Sequence, residues 1–490
     1  MSMISFSGEQ LEEITGGALK GCDLQRVFPV PGFFVDSRAP IPDGVFVALA
    51  GERADGHSFL GGVQSAGAAL AIISKDSKVP IPAGLPTLSV NDPLAALGQI
   101  AHWVRRNVLT AQVIGVTGSS GKTSTKDLIA GILSQFGRCV SPPGSFNTEV
   151  GLPLTILSAD TDTEFLVLEM GMRGIGHISA LAEIAEPDIG LVLNVGSAHI
   201  ELLGSVENIS RAKGELVRGL PESGVAILNL DDPHVRKMSV DISCDEWTFG
   251  ETSGADFHAS DILIETDGTT RFTVTHAGVT CSAHVNLIGL HYVSNALAAI
   301  SACVAAGVPF ETACQLLENV HTISKWRMEV TDTPSGITVI NDSYNANPES
   351  MRAALKTLAQ LGSKAPRRRT WAVLGEMLEL GDYSLDAHDS IGRLAVRLDI
   401  SRLICIGAGT KVMHLAAANE GSWGKESLWV AEPDEAIAIL SDELAQGDIV
   451  LVKASRSVGL DRVASEIPGL RLSSVKSDFE FDTDAEQGAP

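Results

Sequence analysis

The chain has 490 residues, of which 44% are hydrophobic and 20% are charged, and its formal net charge is −24. This length predicts about three domains at roughly 150 residues each. The acidic excess excludes a non-specific nucleic-acid binder, because such proteins need clustered lysine and arginine. The 7 cysteines form no CxxC motif, which indicates free thiols rather than a disulfide framework.

The N-terminal segment MSMISFSGEQLEEITGG contains acidic residues and lacks the apolar core of a signal peptide. The chain has no apolar run of the roughly 18 residues that cross a membrane. We therefore expect a cytoplasmic protein without membrane insertion. We also expect it to be a monomer.

Residues 1–108 contain short strand-like runs, VFVAL and ALAIIS, that are separated by turn residues. A polar cluster lies between and around them in DSRAPIPDGVFVALAGERADGHSF. It fits either a charged surface loop or a pocket for the polar head group of a small ligand. Its polar members are Asp36, Ser37, Arg38, Arg53, Asp55 and His57.

Residues 109–330 alternate apolar strands with helical stretches, as in QVIGV, EFLVLEM, DIGLVLNV and GVAILNL. This alternation predicts a parallel sheet with helices on both faces. The segment RFTVTHAGVTCSAHVNL alternates with period two and predicts an antiparallel hairpin. Residues 331–472 resume the strand–helix pattern, and the acidic residues 473–490 predict a disordered tail. The fold class is therefore α/β, and we expect three domains: a small α/β N-terminal domain, a central parallel-sheet domain and a C-terminal Rossmann-like domain.

The segment TGSSGKTS follows the strand QVIGV and opens a helical stretch. Such a turn points backbone N–H groups and the positive end of a helix dipole at anionic oxygens. The strict phosphate-loop pattern fails because Val116 stands where its first glycine belongs, so Gly118 supplies the sharp turn. The alternative is an ordinary strand-to-helix turn. The predicted nucleotide-binding residues here are Thr117, Gly118, Ser119, Ser120, Gly121, Lys122, Thr123 and Ser124.

Polar residues follow several predicted strands, where ligands bind in such sheets. Glu169 after EFLVL suits Mg²⁺, a cation that takes oxygen ligands, or is a solvated loop residue. Asn194 and His199 follow IGLVL, and His199 fits either a metal ligand or a packed or capping histidine. Lys213 lies on a predicted helix, where the residues alone indicate a surface lysine.

Four further stretches carry polar groups whose roles the residues leave open. His291 and Asn295 lie four apart on one helix face and fit either adenine recognition or capping. In INDSYNANPES, hydrogen-bonding side chains precede a proline, which is also ordinary capping chemistry. Glu376 and Glu379, which His388 follows, are paired carboxylates that could hold a positively charged amine or form a solvated helix end. Lys453, Ser455 and Arg456 offer a carboxylate clamp.

Together these motifs resemble the Mur ligase family of ATP-dependent amide ligases of peptidoglycan synthesis. The family-wide parts are TGSSGKTS and LEMG, NVGSAH and AKGE, and the match runs in order along nearly the whole chain except the tail. Two stretches, DSYNANPESMRAAL and VLGEMLELGDYSLDAH, are similar to motifs of the family member that adds D-alanyl-D-alanine to UDP-N-acetylmuramoyl-tripeptide. No DNPR-type motif of the diaminopimelate- or lysine-adding member occurs.

The resemblance implies ATP and Mg²⁺ as cofactors and gives roles to named residues. Lys122, Glu169, His199 and Lys213 are expected to be catalytic. Thr123, Glu169, His199 and Lys213, the last as a carbamate, are expected to hold metal ions. Beyond the phosphate loop, the nucleotide is expected to contact Asn295, Arg327, Asp342 and Asn345. The substrates are expected to contact Ser37, Arg38, Asp55, Asn147, Thr148, Glu376, Lys453 and Arg456.

One position departs from the family pattern, because Trp326 stands in SKWRMEV where many members carry glycine before the arginine. Two rival functions remain. A sibling ligase, such as the diaminopimelate- or lysine-adding ligase or folylpolyglutamate synthase, lacks the NANPES and GEMLELG stretches. A nucleotide-dependent switch would usually carry DxxG and NKxD motifs, and neither occurs here in a suitable place.

Overall fold

The computed structural model describes residues 4–51, 54–321, 324–421 and 426–470. The predicted tail and Arg53 lie outside the described residues. The chain forms two compact units. The first holds the chain up to Glu265 with Thr269–Asn286 and His291–Ser324, and the second holds Thr266–Gly268, Leu287–Leu290 and the chain from Lys325 onward.

The N-terminal part of the first unit contains a mainly parallel sheet in the order β2-β7-β6-β5-β4, with β2 antiparallel, and a separate antiparallel pair, β1 and β3. The runs VFVAL and ALAIIS form β5 and β6, so both strand predictions are confirmed. The elements are β1 (Ile4–Ser7), α1 (Gly8–Thr15), β2 (Ala18–Lys20), β3 (Val27–Val30), β4 (Phe33–Phe34), β5 (Val45–Val47), α2 (Leu60–Ser65), β6 (Leu70–Ser74), β7 (Thr87–Val90) and α3 (Pro93–Asn107).

The rest of the first unit is built on a larger sheet. Its elements are β8 (Gln112–Thr117), α4 (Lys122–Leu133), β9 (Cys139–Val140), α5 (Gly151–Ile156), β10 (Phe165–Glu169), α6 (His177–Ala185), β11 (Ile189–Val192), α7 (Ile200–Leu203), α8 (Val206–Lys213), α9 (Glu215–Arg218), β12 (Val225–Asn229), α10 (Pro233–Arg236), β13 (Asp245–Gly250), β14 (Phe257–Ile264), β15 (Thr270–His276), β16 (Val279–Val285), α11 (His291–Ala305) and α12 (Phe310–Leu317).

The strand order of this sheet is β16-β15-β14-β13-β12-β11-β8-β10-β9. Strands β8 to β13 are parallel, as predicted, and β15 and β16 form the predicted antiparallel hairpin. Glu169 pairs with Val116, and Val192 pairs with Thr117. The register therefore ends β10, β8 and β11 at one edge, which brings Glu169 beside the loop that follows Thr117.

The second unit contains a six-stranded sheet in the order β17-β18-β22-β19-β20-β21, with β17 antiparallel and the other strands parallel. Its elements are β17 (Glu329–Asp332), β18 (Thr338–Asn341), α13 (Pro348–Ser363), β19 (Thr370–Leu374), α14 (Ser384–Arg397), β20 (Arg402–Ile406), α15 (Lys411–Glu420), β21 (Ser427–Val430), α16 (Pro433–Glu443), β22 (Ile449–Lys453) and α17 (Asp461–Glu466).

The α/β class predicted from the alternating strands and helices is confirmed in both units. Asn347 caps α13, since its side chain accepts a hydrogen bond from the Ser350 N–H at 2.8 Å and Pro348 opens the helix. The capping interpretation of this stretch is therefore confirmed. Among the described residues, no helix has both the length and the apolar character needed to cross a bilayer.

Candidate active site

The loop between β8 and α4 contains two glycines in close contact with other parts of the chain. Gly121 has φ 79°, and a Cβ there would lie 2.6 Å from Asn295 Oδ1. A Cβ on Gly118 would lie 2.9 Å from the Leu193 Cβ. Both positions therefore require glycine. The loop leads into the N-terminus of the 12-residue helix α4. Backbone N–H groups at a helix N-terminus favour the binding of an anion.

Asn194, after β11, fixes the loop. Its Oδ1 accepts hydrogen bonds from the backbone N–H groups of Ser119 at 3.0 Å and Ser120 at 2.9 Å. Two neighbours brace the segment that carries Asn194. The Asn229 amide donates to the Leu193 carbonyl at 2.7 Å, and Asp232 accepts from the Val195 N–H at 2.8 Å. The sequence indicated a polar residue at this strand end but gave Asn194 no role.

We expect Asn194→Ala to destabilise the folded protein by about 1–3 kcal/mol, because it removes the side-chain acceptor of two partly buried N–H groups. Thermal or urea unfolding would measure this change. Asn107→Ala is the control, since that exposed amide bonds only to a carbonyl of its own helix. Equal effects of the two substitutions would contradict a loop-fixing role for Asn194.

A chain of short polar contacts links α4 to β10. The Lys122 ammonium donates to the Gly118 carbonyl at 2.7 Å, within the loop. The next residue, Thr123, donates its hydroxyl to Glu169 Oε2 at 2.7 Å and lies 2.7 Å from the Ser145 hydroxyl. The Asn147 amide donates to Glu169 Oε1 at 2.6 Å. The predicted residues Lys122, Thr123, Glu169 and Asn147 thus lie together.

Glu169 is only 1% exposed, so the interpretation of a solvated loop residue is wrong. Both of its oxygens accept from neutral donors, and no described lysine, arginine or histidine forms an ion pair with it. A buried carboxylate without a cationic partner is unfavourable unless a cation binds it. The set of one carboxylate and two hydroxyls suits Mg²⁺, which takes one or two carboxylates and completes its shell with phosphate oxygens and water.

The described residues contain no cluster of three or more histidine, cysteine, aspartate or glutamate side chains that would form an all-protein metal cage. His199 precedes α7 with φ 65° and makes no side-chain capping bond, so the capping interpretation is wrong. Its role as a metal ligand stays a prediction.

Lys213 ends α8, as the helix prediction required, yet its side chain is buried and only 1% exposed. The interpretation as a surface lysine is therefore wrong. Burial lowers the pKa of Lys213 well below its ordinary value of 10.5, and the charge of Lys122 lowers it further. The described residues provide no hydrogen-bond or ion-pair partner for this amine. The structure thus places a buried amine with a lowered pKa close to Lys122.

The remaining predicted residues of the loop region lie in or beside it. Thr117 is fully buried, and its hydroxyl donates to the Met170 carbonyl at 2.9 Å. Ser124 lies in the first turn of α4, and Thr148 precedes α5. Asn295, on α11, is 6% exposed and abuts Gly121. It therefore shapes the loop, whereas contact with adenine stays a prediction.

In the N-terminal part, Arg38 and Asp36 form a bidentate ion pair with nitrogen–oxygen distances of 2.7 and 2.9 Å, which lowers the pKa of Asp36 to about 2. Asp55 lies 2.6 Å from His57 Nδ1, and His57 Nε2 accepts from the Ser74 N–H at 2.9 Å. His57 is therefore a buried structural histidine. Substrate contacts by Ser37, Arg38 and Asp55 stay predictions.

In the second unit, the strand ends bring Asp342 and Lys453 together. The Lys453 ammonium lies 2.6 Å from Asp342 Oδ2 and donates to the Asn345 carbonyl at 2.8 Å. Lys453 is 2% exposed. The other Asp342 oxygen accepts from the Met328 N–H at 3.1 Å. Lys453, which the sequence assigned to a substrate, therefore contacts Asp342 and Asn345, which the sequence assigned to the nucleotide.

Other predicted residues of this unit have defined partners. The Glu376 carboxylate accepts from the Gly409 N–H at 2.6 Å. The Arg327 guanidinium lies 4.2 Å from the centre of the Tyr344 ring, and that of Arg456 lies 4.0 Å from the centre of the Trp326 ring. His388 is a buried structural residue, because its Nε2 accepts from the Met377 N–H at 3.0 Å and burial lowers its pKa.

The sequence matches two family models, the Mur ligase middle domain over residues 116–303 and the Mur ligase, glutamate ligase domain over residues 326–456. The chain belongs to the Mur ligase family. It is 41% identical over 95% of its length to the UDP-N-acetylmuramoyl-tripeptide--D-alanyl-D-alanine ligase of Mycobacterium tuberculosis, of which it covers 98%. The Bacillus subtilis protein of the same name is 34% identical over 95% of this chain and 99% of its own.

Solved Mur ligase structures are similar over most of the chain. One MurF crystal structure from Acinetobacter baumannii has a TM-score of 0.84 and 28% identity, covering 96% of this chain and 100% of that one. MurF ligase from Thermotoga maritima in complex with ADP has a TM-score of 0.75 and 28% identity, covering 89% of this chain and 97% of that one. The resemblance inferred from the motifs is confirmed.

Three residues to which the sequence gave no role lie in the region of the phosphate loop. Asn194, Ser145 and Asn229 belong to the phosphate-loop region through the contacts described above. Asn194 and Asn229 stand at or just after the ends of neighbouring strands β11 and β12, which was the available signal. Ser145 lies in the loop between β9 and α5 and gave no such signal.

Proposed function

We propose that this protein is the ATP-dependent ligase that joins D-alanyl-D-alanine to UDP-N-acetylmuramoyl-tripeptide, which makes UDP-N-acetylmuramoyl-pentapeptide for peptidoglycan. The carrying observation is the similarity, along 95% of the chain, to relatives named for this reaction. The phosphate loop with its buried Thr123–Glu169 pair supports the use of ATP. A cytoplasmic location and a monomeric state belong to the same proposal.

The chemistry explains why a phosphate loop serves an amide ligase. A carboxylate does not react with an amine near neutral pH unless its oxygen is first made a leaving group. The terminal carboxylate of the tripeptide attacks the γ-phosphorus of ATP, ADP leaves, and an acyl phosphate forms. The amine of D-alanyl-D-alanine then attacks the acyl carbon, inorganic phosphate leaves, and the amine proton passes to a base. Lys122 neutralises charge on the transferred phosphoryl group.

We assign the nucleotide phosphates to the loop from Thr117 to Ser124. Its backbone N–H groups at the start of α4, together with the Lys122 ammonium, supply the donors. Asn295 adjoins this loop. Arg327, Asp342 and Asn345 are further proposed contacts to the nucleotide.

The residues present fit Mg²⁺. Thr123 and Glu169 are its proposed oxygen ligands, and His199 is a proposed ligand or neighbour of its water shell. Mg²⁺ bound there would neutralise phosphate charge and polarise the γ-phosphoryl group. The side chains of this protein hold the carboxylate in place through the Thr123 hydroxyl and the Asn147 amide.

Lys213 is proposed to react with carbon dioxide to form a carbamate. The amine must be neutral to attack, and burial of Lys213 with the nearby charge of Lys122 keeps its pKa low. The reaction forms an N–C bond, releases one proton and turns a latent cation into an anion. A carbamate provides the oxygen donors that Mg²⁺ prefers.

The substrate contacts are proposed from the resemblance together with the chemistry of each residue. Ser37, Arg38 and Asp55 are assigned to the UDP end of the sugar substrate, and Asn147 and Thr148 to its sugar-peptide part. Glu376, Lys453 and Arg456 are assigned to the peptide substrates in the second unit. Among these, Arg456 is half exposed and has the geometry to bind a carboxylate bidentately.

Phosphate release with ATP and Mg²⁺ on UDP-N-acetylmuramoyl-tripeptide tests the function across an acceptor panel of D-alanyl-D-alanine, diaminopimelate, L-lysine, D-glutamate and none. We expect release only with D-alanyl-D-alanine, and a product heavier by that dipeptide minus water. Release with another acceptor, checked also on the dipeptide precursor, would assign a sibling reaction instead. Phosphate release that does not depend on the acceptor would favour a nucleotide-dependent switch.

A further inference from the structure

We propose that Trp326 is a positioning residue that fixes the guanidinium of Arg456 for the C-terminal carboxylate of the acceptor dipeptide. This inference rests on the proposed function. It adds a selectivity for acceptors that carry a free carboxylate.

The Arg456 side chain has one anchored face and accessible donors. Its guanidinium carbon lies 4.0 Å from the centre of the Trp326 ring, so the two groups are in cation–π contact. Its nearest charged partner is Asp461, with a nitrogen–oxygen distance of 3.5 Å, and half of the side chain is exposed. Within the described residues, no side-chain hydrogen bond occupies the guanidinium. The stack therefore orients the guanidinium while its N–H edge can receive a carboxylate.

The backbone at Trp326 adopts a strained, left-handed conformation. Trp326 has φ 62°, and Met328, two residues on, has φ 50°. Bulky residues rarely adopt this left-handed conformation. Two hydrogen bonds hold it, from the Trp326 N–H to Glu329 Oε2 at 3.0 Å and from the Tyr344 N–H to the Trp326 carbonyl at 3.1 Å. A strained conformation that several contacts enforce is typical of functional sites.

A fixed guanidinium matters for selectivity because arginine has a long, mobile side chain. Stacking removes part of the rotational freedom that Arg456 would otherwise lose on binding. A carboxylate accepts two parallel N–H bonds from a guanidinium edge, whereas a neutral amide cannot accept both. The ring should therefore favour a free acid over the corresponding amide, although it touches neither.

The test compares two acceptors, D-alanyl-D-alanine and D-alanyl-D-alaninamide, with the full-length enzyme. Trp326→Gly removes the ring and relieves the strained backbone, and Trp326→Phe keeps a smaller ring. We expect Trp326→Gly to raise KM for the free acid about 3- to 10-fold, with kcat within about twofold and KM for the amide unchanged. Trp326→Phe should raise KM for the free acid by a smaller factor.

Asp43→Gly is the matched control, because Asp43 is an exposed residue with φ 60°. Asp43→Gly should change the free energy of unfolding by releasing backbone strain, as Trp326→Gly does. It should leave both KM values unchanged. In an Arg456→Lys background, Trp326→Gly should add no further loss of acid-over-amide preference, because the ring acts through Arg456.

Trp326→Phe keeps an aromatic ring. If this substitution raised KM for the free acid and for the amide by the same factor, the inference would be overturned and Trp326 would be a structural residue. A KM change confined to UDP-N-acetylmuramoyl-tripeptide would also overturn it, because Arg456 would then serve the other substrate. If the unmodified enzyme formed product with neither acceptor, the proposed function would be overturned, and this inference with it.

Discussion

We expect Lys122→Ala to abolish product formation, with kcat/KM falling by at least about 10³-fold, or about 4 kcal/mol of transition-state stabilisation. Lys122 is the first residue of α4 and already places its ammonium 2.7 Å from the Gly118 carbonyl, inside the loop. Phosphoryl transfer depends on neutralising charge on the transferred group. Alanine keeps the helix but removes the only cation that the loop itself carries.

Acceptor-dependent phosphate release measures this loss, and ADP binding by calorimetry shows whether the nucleotide still binds. Lys75→Ala is the control, since Lys75 is an exposed lysine outside the phosphate loop. Unchanged thermal unfolding would show that the Lys122 variant is folded. Near-normal turnover of a folded Lys122→Ala protein would contradict the assignment of the phosphate loop.

The fold could be predicted from the sequence because local patterns and the global architecture agree. The segment QVIGV followed by TGSSGKTS predicted β8, its turn and α4, since apolar strands and glycine-containing turns leave few alternatives. The period-two segment predicted the β15–β16 hairpin for the same reason. Parallel pairing then places Glu169 beside the loop, because Phe165–Glu169 and Gln112–Thr117 run in register.

The site was predicted less completely, because burial depends on contacts between distant parts of the chain. Lys213 is the last residue of a polar helix that resembles a surface helix, yet its side chain is buried. Asn295 lies far along the chain from Gly121 but abuts it. The residues also gave no means to foresee that Lys453 would pair with Asp342. Motif resemblance supplied the Lys213 assignment, and local periodicity could not.

We expect Lys213→Ala to lower turnover by at least about 10²-fold, because it removes the amine that is proposed to become a metal-binding carbamate. A small carboxylic acid such as formate should partly restore activity by offering the lost oxygen donors. Lys237→Ala is the matched control, since Lys237 is exposed. Unchanged activity in Lys213→Ala would contradict the carbamate proposal.

The lowered pKa of Lys213 also predicts a pH dependence of stability, measured on protein freed of carbon dioxide. The unfolded lysine keeps its ordinary pKa of 10.5, whereas the folded one is lower, so below pH 10.5 the unfolded state binds more protons. The free energy of unfolding should therefore rise with pH between the folded pKa and 10.5. Lys213→Met lacks this term, so its stability relative to the unmodified protein should be greatest at the acidic end of that range and shrink as the pH rises. A difference independent of pH would contradict the lowered pKa of the buried amine, and with it the chemical basis for attack on carbon dioxide.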